Sequence, residues 1–160
     1  MDEMRQNFGY ELPPELKMLK QEVHDFIREE VIPVERELDF EAVSLPPDKL
    51  APLQKKARDA GLWCLGAPEE FGGANLPIFA QTIIAEEASQ HRNGAYNPGL
   101  GAFGTEPPYI LYDGTKEQID RYVIPTIEGK RSGFVAITEP SGGSDPARAI
   151  QTRARKVGDH

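Results

Sequence analysis

The stretch TEPSGGSD, residues 138 to 145, sets hydroxyls and carboxylates around a proline and a pair of glycines. Pro140 fixes one backbone angle, while Gly142 and Gly143 permit positive φ, so that neighbouring amide hydrogens can converge into an anion-holding concavity. Ser144 adds a hydroxyl to the same place. Thr138 stands at the end of an apolar run, beside a floor made by Val135 and Ile137, and its hydroxyl can donate or accept. This combination suits a flat, partly polar ring attached to a phosphate. The alternative is a tight turn in which Ser144 or Asp145 caps a helix starting at Pro146, and the pattern is not a GxGxxG phosphate loop. Elsewhere the chemistry is sparse. His24, His91 and His160 show no metal-ligand spacing and suit surface or capping roles. The single cysteine, Cys64, lies in the apolar run GLWCLG and reads as a buried thiol.

The chain has 160 residues, 39% of them hydrophobic, enough for one ordinary folded domain. Twenty-six acidic against eighteen basic residues give a net charge of -8, which repels phosphate backbones and anionic lipids and argues against a nucleic-acid or membrane partner. No apolar run approaches the ~20 residues of a membrane span, and MDEMRQNFGY has no signal-peptide pattern, so the expected location is cytoplasmic.

The elements that must position the turn are mostly helices. Leu16, Leu19, Val23, Phe26, Ile27 and Val31 recur at helical spacing from Pro14 onward, and Pro33 is expected to kink or end that helix, with the polar remainder Glu35 to Phe40 continuing past a bend. A second helix is predicted over 47–60, stopped by Gly61, and a third over 77–90. The paired Glu86 and Glu87 read as a solvated face. The glycine-rich segment from Asn93 to Pro108 suits a loop with short helical turns. PYILYDG reads as a short buried helix. Thr115 with Gln118 forms a capping box opening a helix through Tyr122, and EGKR is a turn. At about residue 132 the pattern changes to β, with FVAI as a short apolar strand and QTRARKV weakly alternating. Two strands do not form a stable sheet alone, so the sequence reads as a piece whose β portion continues elsewhere.

FVAITEPSGGSD closely resembles the flavin-binding signature of the acyl-CoA dehydrogenase family, whose usual form is a small apolar strand, TEP, a variable residue, a small residue and GSD. EVIP at 30–33, GLWCLGAPEEFGG at 61–73, the pair Glu86 and Glu87, and GTKEQIDRYVIPTIEGK at 114–130 resemble the family's N-terminal helical domain, in the family's order. The resemblance implies a mainly α fold: an N-terminal helical bundle of acyl-CoA dehydrogenase type over residues 1–131, then the first strand or two of a truncated middle β domain over 132–160. Relatives go on to a C-terminal four-helix bundle.

The same resemblance implies FAD as cofactor and an acyl-CoA thioester as substrate, oxidised to a trans-2-enoyl-CoA in fatty acid metabolism. Thr138 would bond the pyrimidine edge of the flavin, with Ile137 and Val135 along the ring. Many relatives carry an aromatic residue at position 135. Ser144 would contact the pyrophosphate and lie near the thioester arm, with Gly142 and Gly143 allowing close backbone approach; relatives usually have alanine at 142. AYNPGLGAFG would close the far end of the acyl pocket, narrowed by Tyr96 and Phe103, or else be ordinary packing around a corner. The family's base is typically a glutamate of the C-terminal domain, so no catalytic residue is assigned in this chain, and Glu139 takes a structural role. An electron-transfer flavoprotein or similar acceptor and a homo-oligomer are the implied partners. An acyl-CoA oxidase or nitroalkane oxidase would share the fold, and a helical interaction module without flavin is the competing reading. The isolated chain is expected to bind FAD weakly or not at all and to be inactive.

Overall fold

A computed structural model describes residues 11–133 and 136–158. Helix α1 (Pro14–Phe26) begins at a proline whose missing amide hydrogen would have lacked a helical partner anyway. It passes through one widened turn, Ile27–Val31, into α2 (Ile32–Arg36). The Ile32 amide donates to the Ile27 carbonyl, five residues back, just before Pro33. Proline cannot donate to the carbonyl four residues earlier and its ring would strike it, and a turn of five residues relieves both problems. The same device recurs where YVIPTI repeats the VIP of EVIPVE. Helix α5 (Lys116–Gln118) leads through the widened turn Ile119–Val123 into α6 (Ile124–Ile127), and the Ile124 amide reaches back to the Ile119 carbonyl ahead of Pro125. The helix therefore runs past Tyr122, beyond its expected end, because the widened turn absorbs the proline.

Between these lie α3 (Pro47–Asp59) and α4 (Ile78–Ala88), close to the predicted spans. α3 ends in a left-handed Gly61 with φ of 73°, where the Leu62 amide bonds the Ala57 carbonyl and the Gly61 amide bonds Arg58. α6 ends in the same way at Gly129, the predicted EGKR turn. The predicted capping box is present, with Gln118 N–H on the Thr115 hydroxyl and the Gln118 side chain on the Thr115 amide.

α1 packs along α4. Their inner faces join α3 and the 100–102 loop in one core that includes Val23, Ile27, Val31, Leu62, Ile84 and Leu100. A second core holds Trp63, Cys64, Ala67, Val123 and Ile127, and ties the GLWCLG run to α6. Trp63 Nε1 donates to the Ile127 carbonyl at 2.7 Å. The Arg58 guanidinium lies 3.5 Å over the indole ring and donates to the Glu128 carbonyl. PYILYDG is a 3₁₀ turn (Tyr109–Leu111) and not the buried helix expected, since Tyr109 and Ile110 are exposed. Only Leu111 and Tyr112 pack inward.

The chain is mainly α. Of the FVAI strand, Phe134 and Val135 lie outside the described residues, and no ladder forms over 136–158, where backbone pairing would need a neighbouring strand. The sole regular element described there is the short helix α7 (Pro146–Ala149).

Candidate functional site

The TEPSGGSD turn folds back on itself. The Gly142 amide donates to the Glu139 carbonyl at 3.0 Å, and α7 follows directly, with Arg148 and Ala149 amides on the Asp145 carbonyl. The capping alternative is met in position only, because Asp145 starts the helix without a side-chain hydrogen bond to it. Glu139 turns its carboxylate across the turn and accepts the Gln151 and Thr152 amides, each at 2.7 Å. Hydrogen bonding from Thr152 first, and from Gln151 next, holds its carboxyl below the ordinary range. A carboxylate spent on two amides clamps the returning chain and has little basicity left, in line with a structural role.

Inside the clamp is an open cavity of about 200 Å³, lined by Ile137, Thr138, Gly142, Gly143, Pro146 and Ile150. Ser144 is exposed beside it and does not line it. The hydroxyls of Thr138 and Ser144 make no hydrogen bond among the described residues, so both are available to a ligand. Val135 lies outside the described residues. Gly142 and Gly143 do not adopt positive φ, which corrects the expectation that this bend needs left-handed glycines. What they provide is space: a Cβ at Gly143 would meet nothing within 4 Å, and one at Gly142 would come to 3.4 Å from Glu139 Cβ.

Tyr96 and Phe103 do not line this cavity. Tyr96 is 86% exposed, whereas the Phe103 ring packs on Phe26 with centroids 5.3 Å apart. The loop between them is left-handed at Gly99, Leu100 and Gly101. Gln54 Nε2 fastens it by donating to the Gly101 carbonyl.

The loop is held by Glu35, which the sequence placed only in the polar remainder after Pro33, and by His91. Glu35 is 4% exposed and accepts hydrogen bonds from His91 Nδ1 at 2.9 Å and from the Arg92 and Asn93 amides at 3.0 and 2.9 Å. Burial opposes its charge, but the bonds from His91, Asn93 and Arg92 outweigh burial and hold the carboxyl below the ordinary carboxylate range. The His91 side chain is wholly buried, against the surface role expected for it. Glu87, expected on a solvated face, is buried too and meets His24 Nδ1 and Lys20 Nζ. A signal existed for the two acids: Glu35 continues the row Ile27, Val31, and Glu87 follows Ala80 and Ile83, so each occupies a core-facing step of its helix. For His91, three residues past the end of α4 at Ala88, spacing offered none. Cys64 is buried as expected, and burial, followed by the nearby Glu106 charge, pushes its thiol up to about 11.

The sequence model of the acyl-CoA dehydrogenase N-terminal domain matches residues 13–130. The chain belongs to the acyl-CoA dehydrogenase family. It is 36% identical over 152 residues to the mitochondrial short-chain specific acyl-CoA dehydrogenase of Bos taurus, covering 93% of this chain and 35% of that protein. It is 33% identical over 147 residues to a 3-(aryl)acrylate reductase of Clostridium sporogenes, covering 90% and 37%. Among solved structures, an acyl-CoA dehydrogenase from Geobacillus kaustophilus superposes with a TM-score of 0.59 at 26% identity, over 86% of this chain and 34% of that one. The chain thus spans about a third of the length of these relatives.

Proposed function

We propose that this chain is the N-terminal part of an FAD-dependent acyl-CoA dehydrogenase, with residues 1–131 as its helical domain and 132–160 as the opening of a middle β domain. The observation that carries the reading is the clamped turn at 138–145, which leaves the Thr138 and Ser144 hydroxyls unspent beside an open cavity. The residues present fit one edge of a flavin. A cavity of about 200 Å³ is smaller than a whole cofactor site, so the turn supplies a part of one. Thr138 and Ser144 would hold it by hydrogen bonds, Ile137 and Val135 would lie along its ring, and Gly143 offers an unobstructed backbone. FAD, when bound, supplies the acceptor for a two-electron oxidation.

The substrate in this reading is an acyl-CoA thioester, oxidised to a trans-2-enoyl-CoA. The α proton goes to a base that is assigned to no residue of this chain. Glu139 is unsuited to that task because its carboxylate already serves two amides. Likeness to short-chain specific relatives makes a short acyl group the first substrate to try. An electron-transfer flavoprotein would reoxidise the cofactor, a homo-oligomer would be the working form, and the compartment would be the cytoplasm.

The test is spectroscopic. The flavin-loaded protein carrying this chain is mixed anaerobically with a short acyl-CoA, and loss of the oxidised flavin band with formation of enoyl-CoA is expected. A flavin band that persists with every acyl-CoA offered refutes the reading.

A further inference from the structure

Hydrogen-bond donors and acceptors determine the state of His91. Its Nε2 lies 3.1 Å from the Gly99 amide nitrogen, and an amide N–H only donates, so Nε2 must be the bare, accepting nitrogen. The ring proton then belongs on Nδ1, which faces a Glu35 oxygen at 2.9 Å. An Nε2–H tautomer, or a ring protonated on both nitrogens, would set two donors against each other in a side chain with no exposure to water. The charged groups around the ring are Glu35 and Arg36 from α2 and Arg92 from the loop, which border a cavity of about 220 Å³ beside it.

Gly99 in turn carries Phe103. A Cβ at Gly99 would fall 2.6 Å from Phe103 Cε2, so the phenyl ring rests directly on the glycine backbone. The Phe103 carbonyl accepts the Cys64 amide at 2.9 Å, which pins the other side of that residue. A line of direct contacts therefore runs from Glu35 through His91 and Gly99 to the Phe103 ring.

We propose that His91 is a positioning residue: held as the neutral Nδ1–H tautomer between Glu35 and Gly99, it fixes the 97–103 loop and with it the Phe103 ring. Its consequence is that the 97–103 loop and the Phe103 ring against Phe26 are held by the tautomer of His91. Its role differs from plain core filling because the two ring nitrogens have separate partners that different substitutions remove. His91→Asn keeps a group near the Nδ1 position for Glu35 and loses the acceptor for Gly99, while His91→Gln can place its amide oxygen near the Nε2 position.

The experiment begins with ¹⁵N spectra of the histidine rings in the 160-residue chain at neutral pH. A protonated Nδ1 and a bare Nε2 are expected for His91; the opposite tautomer or a doubly protonated ring overturns the proposal, whether or not any variant folds. Amide exchange then separates the arms: Gly99 exchanges about tenfold faster in His91→Asn and close to wild type in His91→Gln, as loss of a single hydrogen bond implies. Equal exchange in wild type and both variants overturns it.

Discussion

The helical body up to residue 130 and the segment from 136 to 158 are built on opposite terms. In the body, side chains fill two cores, and even its buried acids are fully bonded. In the segment almost every residue is exposed, and its order rests on local bonds around Glu139 and α7. Hydrophobic burial stabilises the first, and little but short-range hydrogen bonding holds the second. The candidate cofactor residues sit in the second. The body supplies folding energy and a surface to build on, whereas the second leaves the Thr138 and Ser144 hydroxyls exposed.

The sharpest break of this contrast pairs two apolar truncations. Leu62→Ala removes a side chain that is 1% exposed and should lower unfolding free energy by about 3 kcal/mol in urea melts. Ile150→Ala, on a residue 49% exposed, should stay within about 0.5 kcal/mol. Comparable losses at both positions would erase the distinction.

Next in size is Glu35→Gln. The amide cannot accept from three donors at once as the carboxylate does, and a loss of about 2 kcal/mol is expected at neutral pH. The acid limb gives the sign. Glu35 titrates below the ordinary carboxylate value of 4.5 in the folded chain, so its contribution is full above that value and is lost as pH falls through the lower, folded one. The wild-type urea midpoint should therefore converge on that of Glu35→Gln as the solution is acidified, whereas a constant gap would mean that the charge is not what matters.

A smaller effect with the opposite sign is expected at Tyr112. Its hydroxyl is buried without a hydrogen-bond partner among the described residues, and burial pushes its pKa up to about 12. The ring stacks on Phe71 at 5.4 Å, a contact that phenylalanine keeps. Tyr112→Phe should raise the thermal midpoint, by about 1 kcal/mol of stability at most. Smallest of all, Gly142→Ala should be tolerated within about 0.5 kcal/mol, since the added Cβ meets Glu139 Cβ at an ordinary contact distance of 3.4 Å and no positive φ is required.

Much of the body was legible because its signals are local. Apolar spacing marked α1, α3 and α4, the capping box marked α5, and Gly61 marked a stop, each through interactions within a turn or two of the chain. Where prediction failed, the cause was a backbone adjustment or a partner that residue spacing does not show. The helix opened by Thr115 ran on past its expected end at Tyr122, because Ile119–Val123 widened ahead of Pro125. Glu35 and His91 became core residues through each other, across 56 positions of sequence. Tyr109 and Ile110 face outward although PYILYDG read as a short buried helix. The TEPSGGSD turn was found by its residue types, but the bend of Gly142 and Gly143 and the clamp from Glu139 to residues 151 and 152 depend on how the chain returns, which residue types do not encode.

The most direct test of the division between a stabilising body and a functional segment is amide exchange of the protein carrying this chain, with its flavin and after the flavin is stripped. Peptides spanning 137–144 should gain protection when FAD is present, while the helices of the body stay slow in both states. Unchanged exchange across 137–144 would contradict the assignment of the turn to the cofactor.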